Sequence, residues 1–184
     1  MNLYELMVAF ERTWVYLVLL IYFAWYPMAS SAMWIYTAWL FWRRRERGRP
    51  EDLAAFYQLE SHPRVSFVIP AFNEEADIVE TVRGVLEVDY PDFEVVVIDD
   101  CSTDGTLDEL APLVAQGRIR LVRKRENEGK AMALNDALPL CRGELLFVMD
   151  ADAIPDRDIL KVMVPHFRSS RVAGVTGNPR VVNR

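Results

Sequence analysis

The run Leu145-Leu-Phe-Val-Met149, followed at once by Asp150-Ala-Asp152, restricts the architecture of this chain more than any other stretch. Consecutive apolar residues of this length fit a strand buried on both faces, as in a parallel sheet, and the run stops abruptly at two carboxylates. In extended backbone, side chains at i and i+2 point the same way, so Asp150 and Asp152 face one ligand together while Ala151 turns away. Two close carboxylates repel each other, and a hard divalent cation relieves that repulsion. Mg²⁺ typically takes only one or two carboxylates and completes its shell with waters and the phosphate oxygens of a substrate. The stretch therefore fits a metal-diphosphate site at the carboxyl end of a central strand, and equally a solvated acidic turn.

The pattern around it is regular. Val65 to Ile69 reads as a strand stopped by Pro70, and Ala76 to Val88 as a helix with Ile78, Val79, Val82, Val85 and Leu86 on one face. A strand over Phe93 to Ile98, a helix over Leu107 to Ala115 distorted by Pro112, a strand over Ile119 to Val122 and a helix over Ala131 to Leu140 follow. Beyond the central strand come a helix near Asp158 to Phe167 and a last strand from Val172 to Thr176. Strands alternating with helices imply right-handed crossovers and a parallel sheet with helices on both faces. Such sheets bind ligands beyond the carboxyl ends of their strands.

The polar signals fall at those ends: Asn73 and Glu74, Asp99 and Asp100, Lys130, Asp150 and Asp152, then Asn178 and Arg180. Each has a purely structural alternative. Asn73 can cap a helix whose dipole favours Glu74 and Glu75, Asp99 and Asp100 can cap the turn Cys101-Ser-Thr-Asp-Gly-Thr106, and Lys130 can be an ordinary solvated lysine. His62 and His166 are isolated and receive no role.

From Trp14 to Trp42 no residue is charged, and a spanning helix needs about 20 residues, so the expectation is one long or tilted transmembrane helix kinked at Pro27. A signal peptide would have a basic start and a shorter apolar run. Arg43, Arg44, Arg45, Arg47 and Arg49 crowd the far end of the span while Arg12 stands alone before it. The positive-inside rule then puts the amino terminus outside and everything after Trp42 in the cytoplasm. Trp14, Tyr16, Trp39, Phe41 and Trp42 suit the two headgroup layers. The expected organisation is an amino-terminal or interfacial segment over 1–13, the transmembrane helix over 14–42, a basic juxtamembrane linker over 43–63, and a ligand-binding α/β part over 64–184. Glu51 to Glu60 within the linker reads as a tether or a brief amphipathic helix.

The net charge of -6 speaks against nucleic acid as a partner. Cys101 and Cys141 lack metal-ligand spacing and are expected as free thiols. A dinucleotide glycine fingerprint, a Walker phosphate loop at Gly129-Lys130, a zinc-protease histidine pair and a serine elbow are all missing from the sequence. A nucleoside diphosphate held by a metal is the chemistry left.

Four stretches then carry a resemblance: Val65-Ser-Phe-Val-Ile-Pro-Ala-Phe-Asn-Glu-Glu75, Val97-Ile-Asp-Asp-Cys-Ser-Thr-Asp-Gly-Thr106, Asn127-Glu-Gly-Lys-Ala131 and Phe147-Val-Met-Asp-Ala-Asp152. In order and spacing they resemble the family 2 glycosyltransferases of the GT-A fold, in particular the membrane-bound processive synthases. Val175-Thr-Gly-Asn-Pro-Arg180 is similar to a stretch of the bacterial poly-β-1,6-N-acetylglucosamine synthase group.

The resemblance implies that Phe72 packs near uracil, that Asp100 accepts from the ring N–H with Asp99 nearby, and that Asn73 and Glu74 belong to the nucleotide-sugar site. It implies that Lys130 approaches the diphosphate, that Asp150 lies near the ribose or sugar, and that Asp152, with Asp150, holds Mg²⁺ or Mn²⁺. Asn178 and Arg180 become candidate acceptor or donor contacts. The implied donor is a UDP-sugar, UDP-N-acetylglucosamine above all. The implied partners are a polysaccharide acceptor, the lipid bilayer of a bacterial plasma membrane and a small membrane subunit. The family's general base, an aspartate in a Thr-Glu-Asp-like motif, and its Gln-x-x-Arg-Trp motif are absent from the chain and expected beyond Arg184. The GT-A part is thus expected to be incomplete at its carboxyl end, binding donor without polymerising it. Cys101 stands where many relatives carry glycine. The competing expectations are a lipid-phosphate sugar transferase and a non-catalytic, membrane-anchored nucleotide-sugar binder.

Overall fold

A computed structural model of the chain describes residues 2–43 and 50–177, in two compact units divided between Arg49 and Pro50. The first unit is one helical run. Helix α1 (Leu3–Leu20) begins at Asn2, whose side chain accepts the Glu5 N–H at 2.9 Å while the Glu5 carboxylate accepts the Asn2 N–H at 3.1 Å. This reciprocal cap satisfies two backbone donors that a helix start leaves orphaned. A π-turn over Ile21–Trp25 joins α1 to α2 (Tyr26–Phe41). Pro27 lacks an N–H and its ring crowds the carbonyl four residues earlier, which is where the ladder widens. The whole run, Leu3–Phe41, has 39 residues and is apolar enough to cross a membrane. At ~1.5 Å per residue it is about 58 Å long, against a hydrocarbon core of about 30 Å. Most of its described large side chains are exposed, and the Arg43 guanidinium lies over the Trp39 ring at 5.4 Å.

The second unit carries a four-stranded sheet. Helix α3 (Pro50–Tyr57) is followed by β1 (Val65–Ala71), α4 (Ile78–Leu86), β2 (Phe93–Asp99), α5 (Thr106–Ala115), β3 (Arg120–Arg123), α6 (Lys130–Ala137), β4 (Leu145–Val148) and α7 (Ile159–Met163). Single 3₁₀ turns at Leu138–Leu140 and Val164–Arg168 extend α6 and α7. The strand order is β3-β2-β1-β4, with every pairing parallel. Period-two alternation divides the two faces. Phe67 and Ile69 of β1 with Val95 and Val97 of β2 pack under Ile78, Val82 and Val85 of α4 and Leu110 of α5. Val68 and Ile98 pack on the other face against Ala133 and Ala137 of α6. Burial of each such branched side chain is worth about 1.5–3 kcal/mol, so the two core strands anchor the sheet. Phe56 of α3 joins the first core and meets the ring of His62 at 4.6 Å.

Three expectations need correction. The strand expected at Val172–Thr176 does not form; residues 172–177 are irregular and mostly exposed. Gly174 and Gly177 favour no extended state there, and β4 has only β1 as a partner among the described residues. β4 itself is not buried on both faces, because Leu146 and Val148 are 46% and 49% exposed. It is an edge strand, and α6 covers the neighbouring Val68 without covering these two. The helix expected over Asp158–Phe167 is a single α-turn continued as 3₁₀, with Pro165 at the change of pitch.

Candidate active site

The chain leaves β1 and crosses to β2 and then β3 on one side, and returns to place β4 on the other side of β1. At such a switch point the loops beyond the carboxyl ends of the strands separate and leave a crevice. A cleft of about 420 Å³ opens here, lined by Pro70 and Ala71 at the end of β1 with Phe72 and Glu74 just beyond it, by Asp100 after β2, by Asn127 and Gly129 before α6 with Lys130 at its start, and by Asp150, Ala151 and Asp152 after β4.

Two loops form one wall. The Asp100 N–H donates to the Ala71 carbonyl at 2.9 Å, which carries the β1–β2 ladder one step past the sheet. Asn73, with φ of 56°, donates its N–H to Ser102 Oγ at 3.0 Å, and its side-chain oxygen accepts the Thr103 N–H at 2.9 Å. The Glu74 N–H donates to Thr106 Oγ1 at 2.9 Å, and the Gly105 N–H donates to the Glu75 carboxylate at 2.9 Å. Asparagine tolerates the left-handed region because its short polar side chain bonds locally. Asn73 is therefore a clasp between loops, and its side-chain oxygen is already engaged.

Asp99 and Asp100 have different roles. Asp99 is fully buried, accepts the Ser102 N–H at 3.2 Å, and lies beneath the loop rather than in the cleft wall. Asp100 reaches the cleft, where it accepts the N–H groups of Glu128 at 3.2 Å and Gly129 at 2.7 Å. Burial alone would raise its pKa, but those two backbone donors and the Lys124 ammonium outweigh it and hold the carboxyl below its ordinary value.

The opposite wall carries the charge. Lys130 opens α6 and donates to the Asp150 carboxylate, with both side chains more than half exposed. Glu74 is pushed above the ordinary carboxyl range, first by burial and then by repulsion from Asp152, Asp77, Asp104 and Asp150. Burial is the larger cause and the neighbouring carboxylates add to it. Among the described residues no group of three or more His, Cys, Asp and Glu side chains is placed to cage an ion. A pair of carboxylates at i and i+2 suits a hard cation that brings phosphate oxygens with it, rather than an all-protein site. The donor set thus fits Mg²⁺ or Mn²⁺ carried in with a diphosphate.

Of the residues expected at the site, Phe72, Glu74, Asp100, Lys130, Asp150 and Asp152 converge on the cleft. Asn73 and Asp99 support its walls, and Asn178 and Arg180 lie outside the described residues. Sequence reasoning missed Lys124. Its ammonium sits 3.2 Å from Asp100, 2.8 Å from Glu128 and 3.2 Å from Asp136. Its neighbours Arg123 and Arg125 make a basic run that reads as solvated surface, and only the fold buries the middle residue.

Known proteins resemble the chain in sequence and fold. A family model described as glycosyl transferase family 2 matches residues 66–184. Poly-beta-1,6-N-acetyl-D-glucosamine synthases of Staphylococcus epidermidis and Staphylococcus aureus are 28% and 29% identical over 160 residues. The match covers 86% of this chain and 39% of each relative, so the chain spans about two-fifths of their length. The structure of mannosyltransferase PcManGT from Pyrobaculum calidifontis, in complex with GDP-Man and Mn²⁺, superposes with a TM-score of 0.59 and 30% identity, covering 78% of this chain and 43% of that one. S. aureus TarS 1-349 in complex with UDP-GlcNAc superposes with a TM-score of 0.50 and 32% identity, covering 53% and 29%. With a parallel sheet of GT-A type, the cleft at its switch point and a family model over most of its length, the chain belongs to glycosyl transferase family 2.

Proposed function

We propose that the cleft binds a UDP-sugar together with a divalent cation, as the donor site of a membrane-bound, inverting synthase that adds N-acetylglucosamine to a growing exopolysaccharide. The observation that carries this reading is the convergence of Asp100, Lys130, Asp150 and Asp152 on one cleft. The UDP-GlcNAc and UDP complexes of TarS, the Mn²⁺ of PcManGT and the names of the staphylococcal relatives support it.

In this reading Phe72, which is substantially exposed at the cleft, offers its ring to uracil, and Asp100 accepts from the ring N–H. Asp152 and Asp150 hold the cation, with Asp150 also near the ribose or sugar. When bound, the metal stabilises the charge that develops on the leaving nucleoside diphosphate. Lys130 and the first N–H groups of α6 serve the same charge from the protein side. The exposed Lys130–Asp150 pair is worth no more than about 1 kcal/mol, so an incoming diphosphate can draw off the lysine, and the freed Asp150 carboxylate would be available to help hold a cation. The acceptor hydroxyl bonds to the anomeric carbon from the face opposite the diphosphate, the carbon–oxygen bond to the diphosphate breaks, and UDP leaves. We assign the base that takes the hydroxyl proton to the whole protein outside this chain's residues, so that the chain by itself binds donor.

The apolar helix is assigned to one crossing of a bacterial plasma membrane, with the amino terminus outside and the arginines at 43, 44, 45, 47 and 49 on the cytoplasmic side. A polysaccharide acceptor and a small membrane subunit complete the proposed partners. The test is calorimetric titration of the detergent-solubilised chain with UDP-N-acetylglucosamine and GDP-mannose, each with and without Mn²⁺. The reading expects cation-dependent binding with UDP-N-acetylglucosamine preferred by at least about tenfold, equivalent to about 1.4 kcal/mol. Equal affinity for the two donors would overturn the assignment.

A further inference from the structure

Lys124 lies behind the cleft wall at the end of β3, with its side chain 7% exposed. Its backbone N–H donates to the Asp99 carbonyl at 2.8 Å, which fixes it against the end of β2. Its ammonium touches carboxylates from three segments: Asp100 after β2 at 3.2 Å, Glu128 in the loop before α6 at 2.8 Å, and Asp136 within α6 at 3.2 Å. Asp100 in turn accepts the N–H groups of Glu128 and Gly129, the residues just before Lys130. The result is a closed set of contacts joining the cleft carboxylate Asp100 to the helix that Lys130 opens.

We propose that Lys124 is a positioning residue of the donor site, fixing Asp100 for the nucleobase and tying it to the loop and helix that present Lys130 to the diphosphate. This rests on the reading of the cleft as a UDP-sugar site. Lys124 itself is not among the residues lining the cleft, so its effect passes through Asp100 and α6. The Glu128 and Gly129 N–H groups, with the Lys124 ammonium behind them, favour the ionised form of Asp100, and an ionised carboxylate can only accept. The site then favours a base whose ring edge donates at that point.

The test compares the affinities of UDP and of inorganic diphosphate, each with Mn²⁺, in the unmodified chain, Lys124→Met, Lys124→Arg and Asp136→Asn. Lys124→Met is expected to weaken UDP by about tenfold while diphosphate changes less than about threefold, because the base contact is lost and Asp150, Asp152 and Lys130 remain. Lys124→Arg is expected to restore most of the UDP affinity. Asp136→Asn, at a half-exposed carboxylate whose loss leaves Lys124 two partners, is expected to weaken UDP by about two- to fivefold. It keeps the test open if Lys124→Met does not fold. Unchanged UDP affinity in Asp136→Asn and in any folded Lys124→Met overturns the positioning role and leaves the donor site standing, as does an equal loss of UDP and diphosphate. Failure of the unmodified chain to bind UDP overturns the donor-site reading and the positioning role with it.

Discussion

Asp100 and Gly129 are joined by a 2.7 Å hydrogen bond from the glycine N–H to the carboxylate, and Gly129 holds φ of 86° and ψ of 164° to make it. That backbone region is essentially closed to residues with a Cβ and costs on the order of 1–3 kcal/mol when forced. No heavy atom lies within 4 Å of the added Cβ position, so the constraint at Gly129 is backbone conformation and not space. Gly129→Ala is therefore expected to lower stability by about 1–3 kcal/mol and to weaken UDP binding, because the loop retracts from Asp100 and α6 starts displaced. Gly117→Ala, at φ of 65° away from the cleft, is the control. It should lose stability with no change in UDP affinity, and chemical denaturation beside calorimetry checks both.

Cys101 sits at φ of 66°, in the same clasp as Asn73, but without a side chain that bonds the local backbone amides. Left-handed backbone costs an ordinary residue about 1–2 kcal/mol, and glycine recovers most of it less its larger unfolded-state entropy. Cys101→Gly is expected to raise the melting temperature by about 2–4 °C and leave donor affinity unchanged. A fall in melting temperature would show that the Sγ contact to the Arg125 carbonyl at 3.5 Å outweighs the strain.

Gly143 precedes β4, and a Cβ there would meet the Ser66 backbone nitrogen at 2.5 Å. Its own N–H donates to Ser66 Oγ at 2.8 Å, and the same hydroxyl donates to Glu94 at 2.7 Å. Gly143→Ala must push β4 away from β1 at the point where the edge strand is seated. A loss of about 1–3 kcal/mol is expected, with reduced donor binding because Asp150 and Asp152 follow directly from this strand. Urea unfolding of the variant measures the loss directly.

Acid should unfold the second unit through carboxylates whose pKa values are lowered in the folded state. Asp100 is one; Glu94 is another, where burial is outweighed by bonds from Ser66, the Arg142 N–H and Arg120. A group with a depressed folded pKa contributes its full stability above its unfolded value, roughly 4 for carboxyls, and loses it as pH falls through the folded value. The melting temperature is therefore expected to be level from about pH 7 to 5 and to drop below about pH 4. Glu74, whose pKa is raised, has the opposite sign. Glu74→Gln should raise the melting temperature near pH 7 in the absence of metal, and a thermal-shift series over pH checks both slopes.

The parallel sheet and the cleft were legible because apolar runs and terminal carboxylates are local signals. Val65–Ile69 and Phe93–Ile98 lie within the observed strands, and Phe72, Glu74, Asp100, Lys130, Asp150 and Asp152 meet where the alternation implies. The Val172–Thr176 strand and the two-sided burial of β4 failed because apolar and β-branched residues state a propensity, whereas pairing and burial need a neighbour that sequence does not reveal. Asn73 and Asp99 look like ligand contacts in one dimension, and only the structure shows the Asn73 side-chain oxygen bound to the neighbouring loop and the Asp99 carboxylate buried and bound within its own. Lys124 could not be singled out because only Glu128 lies near it in sequence, while Asp100 and Asp136 reach it only on folding.

The most direct test of the donor site is the Mn²⁺ dependence of UDP-N-acetylglucosamine affinity in the unmodified chain and in Asp152→Asn, which keeps the shape and removes the charge. The account predicts at least about tenfold tighter binding with Mn²⁺ in the unmodified chain. In Asp152→Asn that metal dependence should be lost with the melting temperature unchanged or raised, since one repulsion on Glu74 is gone. Equal metal-dependent affinity in the two proteins would contradict it.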